Sequence, residues 1–312
     1  NSDGAILDFE RKGLVFIVHV TGRLGNMLQT GHESVGGQVG MEIFDEDLVN
    51  RVANVSTSRA LMMLRAREAP SGRMPVVLES EAGGTMIHEA VGHGLEADIV
   101  GEKMSVYAGC LGKKIAGEAV SVIDDPTMPN KRGSYPFDDE GIKSRPNFLI
   151  KQGSLQGFMY DRLSALKQGA ETTGNGRRES YRYKPIPRMS NTYIAPSVWN
   201  PEEILKSTPF GLLVRKMGGG EVNTVNGDFV FEVAEGYLIE NGSHGDPVRG
   251  ATLVGNGPKV LMNIDMVGND LGFSIGTCGK DGQGAPVSDA QPTVRIGTPD
   301  KPDTWLTVGG TA

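Results

Sequence analysis

Two histidines and a glutamate in the stretch "GGTMIHEAVGHGLEADI" are the residues of this chain best suited to chemistry: His88, Glu89 and His93. Neutral imidazoles are ordinary zinc ligands, and a neighbouring carboxylate can take a proton from metal-activated water. The familiar zinc pattern H-E-x-x-H sets its histidines four apart, on one face of a helix. Here they are five apart, which on a regular α-helix at about 100° per residue leaves the rings roughly 140° out of line. A π-bulge, one i→i+5 turn, would widen the helix and return both rings to nearly one face. Gly92 and Gly94 flank His93 and tolerate such a distortion. The same two histidines near a helix end also read as surface or core residues, and a third ligand is not evident from the motif alone.

The elements that must position these residues can be read around them. "GLVFIVHVTG" (13–22) is β-branched, aromatic and bounded by glycine, and reads as a buried strand. The run 45–70 has helical apolar spacing at Leu48, Val49, Val52, Leu61 and Leu64, giving one helix, or two with a break at the Ser/Thr cluster. "MPVVLES" follows as a strand, and Thr85 is placed to cap the helix carrying His88. Residues 131–200 are polar and proline-containing and read as long loops, interrupted by a hairpin and short helix in "NFLIKQGSLQGFMYD". "NPEEILKST" is a short helix with Asn200 as cap and Pro201 at its first position. Beyond it the chain is strand material, with Asn226-Gly227 and Asn241-Gly242 as turns. The expected fold is α+β: a helical N-terminal part with the histidine helix packed on a predominantly antiparallel β region, divided into a strand/helix part (1–130), a loop-rich segment (131–200) and a β-rich part (201–312).

Composition narrows the class. A chain of 312 residues, 38% hydrophobic, can bury a substantial core, and its net charge of −7 without a basic run argues against a surface that neutralises nucleic-acid phosphates. No uninterrupted apolar run reaches the length of a membrane span, and "NSDGAILDFERKG" lacks a signal-peptide layout. Two widely separated cysteines fit a reducing compartment, so the cytoplasm is expected. The first residue is Asn, and the opening "NSDG" is turn-like, which suggests a true N-terminus further upstream.

"HEAVGHGLEAD", "SYPFDDEG", "GNGRRESYRYKPIPRMSNTYI", "GGGEVNTVNGDFVFEVAEGYLIENG", "DMVGND", "CGKDGQGAPVSDAQPT" and "LTVGGTA" occur in this order. Together they make the chain resemble the TldD/PmbA family of zinc metalloproteases, on the TldD side, historically called modulators of DNA gyrase. The resemblance spans nearly the whole sequence. It implies His88, His93 and Cys278 as ligands of one Zn2+ per chain and Glu89 as catalytic base. It also implies a dimer, of identical subunits or with a PmbA-type paralogue, and a further upstream domain apparently absent here.

Physical chemistry bears on several of these residues. Cys278, in "GTCGKDGQG", has glycines that would permit a turn aiming a thiolate at a metal, and two imidazoles with one thiolate leave a fourth position open for water. Cys110, in "YAGCLGKK", also has glycine neighbours, so local sequence separates the two only weakly; it is expected as a small buried residue. Glu96 competes as an oxygen ligand, or else supports the site from outside or ends the helix in solvent. Arg177 and Arg178 could hold a peptide carbonyl or carboxylate, or pair with Asp138, Asp139 or Glu140 to fix a loop. His19 and His32 are expected far from the metal, and His244 in an exposed turn. The leading expectation is a zinc-dependent peptidase acting on unstructured or short peptides. The alternative is a non-catalytic subunit or binding module in which the metal only staples the helix to the Cys278 loop, and direct DNA binding ranks below both.

Overall fold

The computed structural model describes residues 4–82 and 84–310; the very ends of the chain, including the first three residues of "NSDG" and the last two of "LTVGGTA", and Gly83 of the histidine stretch lie outside them. Two mixed, mainly antiparallel sheets and few helices make an α+β fold. The larger sheet runs, in spatial order, through Ile264–Val267, Val294–Ile296, Val76–Leu78, Phe210–Val222, Asp228–Glu240, Thr252–Asn256, Leu306–Gly309 and Gly72–Met74. The smaller runs through Gly272–Lys280, Gln283–Gln291, Asn191–Ile194, Val122–Asp124, Asn147–Lys151 and Ser154–Leu155. In the N-terminal part, strand Val76–Leu78 lies inside the large sheet, parallel to Phe210–Val222 and antiparallel to Val294–Ile296. All three residues of that strand are buried, as expected for a short apolar run covered on both faces.

The first strand departs from its sequence reading. Leu14–Leu24 is half exposed, alternating along its length, because it forms a separate two-stranded hairpin with Met27–Gly37 and rests on helix Glu46–Met63. That helix is continuous through its Ser/Thr cluster. Ser56 and Thr57 return their hydroxyls to the carbonyls of Val52 and Ala53, at 2.8 Å each, which keeps them compatible with helical backbone. Asp45 caps it by accepting from the Leu48 amide at 2.6 Å. Asn200 likewise caps Pro201–Lys206, and Asn241-Gly242 turns the chain between two strands with both φ positive.

Polar groups order the loop-rich segment. Asp124, fully buried, accepts from Asn175 Nδ2, the Ser190 amide and hydroxyl, and Thr192 Oγ1 at 2.7–2.8 Å. Asp138 accepts from the amides of Glu140, Ile142 and Gly176. Buried carboxylates saturated in this way act as internal templates for chain that has little regular structure.

The histidine stretch passes through the apolar core. Met86, Ile87, Val91 and Leu95 share one cluster with Leu78 and Val214 of the large sheet and Ile150 and Ile194 of the smaller one. Each such fully buried aliphatic side chain contributes about 1.5–3 kcal/mol, so the segment is held on both sides. None of the described helices is long and apolar enough to cross a membrane.

Candidate metal centre

The segment starts on a left-handed turn with no room for a side chain. Gly84 has φ +73° and lies against the Ala290 backbone, so Gly84, not Thr85, precedes the first helical residue, and no side chain caps it. Thr85–Ile87 is α-helical, His88–Gly92 is a π-turn and His93–Leu95 a 3-10 turn. The His93 amide donates to the His88 carbonyl, the i→i+5 bond that defines the wide turn. The two rings therefore come together, their centroids 5.1 Å apart and their planes at 89°.

Cys278 reaches them from the smaller sheet. It does not sit on a glycine turn: it lies in the regular strand Gly272–Lys280 opposite Ala285, and the chain turns three residues later at Asp281-Gly282, both with positive φ. Strand alternation aims the thiol, since Ser274, Gly276 and Cys278 share one face with Val287 and Asp289 of the paired strand. Cys278 Sγ is 3.5 Å from His93 Nε2, and ligand atoms of His88, His93 and Cys278 all lie within 4.8 Å of one another. A tetrahedral zinc with ordinary Zn–N and Zn–S bonds would set such a nitrogen and sulfur about 3.6 Å apart, so this donor pair fits the ion.

Both imidazoles are oriented by carboxylates. His88 Nδ1 is 2.6 Å from Asp289 Oδ1, and His93 Nδ1 is 3.0 Å from Glu96 Oε2, which leaves both Nε2 atoms for a metal. Glu96, wholly buried, thus supports His93 from behind the site. Asp289 escaped the sequence reading: it lies 201 residues from His88, and only the strand register brings it there. Glu89 stands beside the ligand atoms, with Oε2 4.0 Å from His93 Nε2 and its side chain about a quarter exposed to a cavity of about 410 Å³.

The charges are strongly coupled. Burial opposes protonation of His88, but the Asp289 carboxylate and the Cys278 sulfur outweigh it and hold its pKa well above the ordinary 6.5. For His93 burial is likewise overcome by Glu96 and Cys278, raising it to about 10. Burial would raise the Cys278 thiol, yet hydrogen bonds and charge from both histidines bring it down to about 5. Burial raises Glu89, with Cys278 and Asp289 adding to it against the two histidines. Protons and a cation would therefore compete for the same nitrogen and sulfur atoms.

The other singled-out residues lie elsewhere. Cys110 is half buried on the core edge, its thiol 3.9 Å from the Ala108 carbonyl oxygen. Arg177 is buried, donates to the carbonyls of Met189 and Pro286 and stacks 4.9 Å from the Tyr135 ring; it pairs with none of the three acids. The Arg178 backbone amide, not its side chain, meets Asp139. His32 is closer to the site than its sequence position implied: paired with His19 across the hairpin, it lines the same cavity as Glu89. His244 sits at the start of a strand, 3.4 Å from Glu79 and against Tyr237.

A family model described as the PmbA/TldA metallopeptidase C-terminal domain matches residues 71–299. The chain belongs to the PmbA/TldD metallopeptidase family. Among relatives in this PmbA/TldD family, the Metalloprotease TldD homolog of Buchnera aphidicola subsp. Schizaphis graminum is 43% identical over 272 residues, covering 86% of this chain and 55% of that protein. The Zinc metalloprotease TldD homolog of Saccharolobus solfataricus is 34% identical, covering 89% and 62%. The chain thus spans little more than half the length of these curated relatives. A Thermotoga maritima crystal structure described as a proposed modulator of a DNA gyrase superposes with a TM-score of 0.77 at 25% identity, over 95% of this chain and 62% of that one. The fold is also that of TldE from Thermococcus kodakarensis, with a TM-score of 0.70 at 20% identity, over 91% and 62%.

Proposed function

We propose that residues 1–312 form the catalytic metalloprotease domain of a zinc-dependent peptidase that hydrolyses unstructured or short peptides. The observation that carries this reading is the convergence of two carboxylate-oriented imidazoles and a buried thiol, with Glu89 beside them in a cavity. His88 Nε2, His93 Nε2 and Cys278 Sγ would hold one Zn2+. When bound, zinc supplies Lewis acidity, polarising the scissile carbonyl and acidifying water. Glu89 accepts the proton of the attacking water and delivers it to the leaving amine. Asp289 and Glu96 keep the Nδ1 atoms occupied and so fix the tautomer and aim of each ring.

Three protein ligands leave a coordination position for water, which favours catalysis over a metal that only staples the fold. Membership of the PmbA/TldD family supports a dimer, of identical chains or with a PmbA-type partner, and two widely separated cysteines fit a reducing compartment such as the cytoplasm. Peptide is the substrate class; the net charge of −7 does not favour nucleic acid as a direct ligand. Removing zinc with a chelator is expected to abolish cleavage of an unstructured peptide, and one equivalent of zinc to restore it. Full cleavage by metal-depleted protein would refute the proposal.

A further inference from the structure

Lys280 lies two residues beyond Cys278 on the same strand and the same face. Its side chain is largely buried, and its ammonium makes three polar contacts: Glu96 Oε2 at 3.1 Å, Asp98 Oδ1 at 2.7 Å and the Pro187 carbonyl at 3.0 Å. An ammonium has three donor protons, so these contacts account for all of them. They join the strand that carries Cys278 to the chain just after His93 and to the short strand Ile186–Pro187. Glu96 Oε2 is therefore held from two sides, by His93 Nδ1 and by Lys280 Nζ, while the residue is fully buried. Its other oxygen, Oε1, is buried without a hydrogen-bond partner among the described residues, so Oε2 carries both contacts.

We propose that Lys280 is a positioning residue for the metal centre, joining the histidine-bearing and cysteine-bearing elements and fixing Glu96 against His93 so that Nε2 of His93 meets Sγ of Cys278. The inference rests on the metal-site reading above. It assigns Lys280 an effect on metal affinity that passes through Glu96, whereas a lysine that merely tied Asp98 to Pro187 would act on stability alone. Carboxylates that orient ligating histidines typically change metal affinity about 10–100-fold when removed, and the lysine that fixes one is expected at the lower end of that range.

Zinc dissociation constants, measured by competition with a chromogenic chelator on the whole chain, test this. Lys280→Met is expected to weaken zinc binding about tenfold and Glu96→Gln about 10–100-fold. In the double variant, zinc should bind no more than about threefold more weakly than in Glu96→Gln alone, because the two act through one contact. Asp98→Asn should stay within about threefold of the parent while melting at a lower temperature. Parent-like zinc binding by Lys280→Met, losses that multiply in the double variant, or an Asp98→Asn loss equal to that of Lys280→Met would each overturn the proposal. Should Lys280→Met alone not fold, the double variant, which removes both charges, is compared with Glu96→Gln. Equal affinities support the proposal and a further tenfold loss overturns it. A parent chain that binds no zinc would instead refute the metal-site reading itself.

Discussion

Gly92→Ala adds one methyl group inside the π-turn and should destabilise the protein, although Ala is the better helix former. A Cβ at Gly92 would overlap the sulfur of Met189 and lie 3.0 Å from its Cε and 3.2 Å from its Cγ, against an optimal carbon–carbon separation of about 3.5–4.0 Å. Met189 has no exposed surface to move into, and its carbonyl is held by Arg177. Either the methionine leaves its rotamer or the turn carrying His93 shifts. Overpacking of this kind costs about 1–3 kcal/mol, while replacing a helical glycine by alanine returns up to about 1 kcal/mol. The net expectation is a loss of about 1–2 kcal/mol. Urea unfolding of metal-free protein measures it without a contribution from zinc. In a Met189→Ala background the added methyl has room, so the same Gly92→Ala change should be neutral or stabilising. A stabilising Gly92→Ala in the parent, or additive losses in the double variant, would refute this account of the turn.

Three further outcomes are expected. Cys278→Ser should lose bound zinc by elemental analysis, while Cys110→Ser should retain it, since only Cys278 lies with the histidines; zinc loss in both would implicate the fold instead. Asp289→Asn replaces a buried 2.6 Å contact to His88 by a neutral one and should weaken zinc binding about 10–100-fold, with unchanged affinity counting against its orienting role. His32 is half buried, and burial, then Lys216 and Arg59, lower its pKa below 6.5. Its contribution to stability is complete above the unfolded value and is lost as pH falls through the folded one, because the unfolded chain binds the proton first. Metal-free parent should therefore lose stability below about pH 6.5 with a steeper slope than His32→Asn; equal slopes would show that His32 is not the group responsible.

Local chemistry was legible in the sequence where one short segment holds the whole cause. The five-residue spacing of His88 and His93 called for a wide turn, and the backbone supplies it at His88–Gly92. The cap at Asn200 and the Asn241-Gly242 turn were equally local. What escaped depends on pairing between distant segments. Asp289 meets His88 only because its strand registers with the one bearing Cys278. Cys278 is aimed by strand alternation, where glycine neighbours had suggested a turn. His32 enters the cavity wall because its hairpin folds over the site, and no periodicity in the hairpin announces that. Arg177 looked available for substrate, yet its guanidinium meets backbone carbonyls whose positions the sequence does not disclose.

The central claim, a metal-dependent peptidase with Glu89 as base, is tested most directly by measuring zinc content and peptide cleavage together in the parent and in Glu89→Gln. Glu89 stands beside the ligand atoms and not among them, so the variant should keep about one zinc per chain while cleavage falls at least about 100-fold, the lower bound of a typical general-base contribution. Cleavage at the parent's rate by zinc-loaded Glu89→Gln would contradict the account.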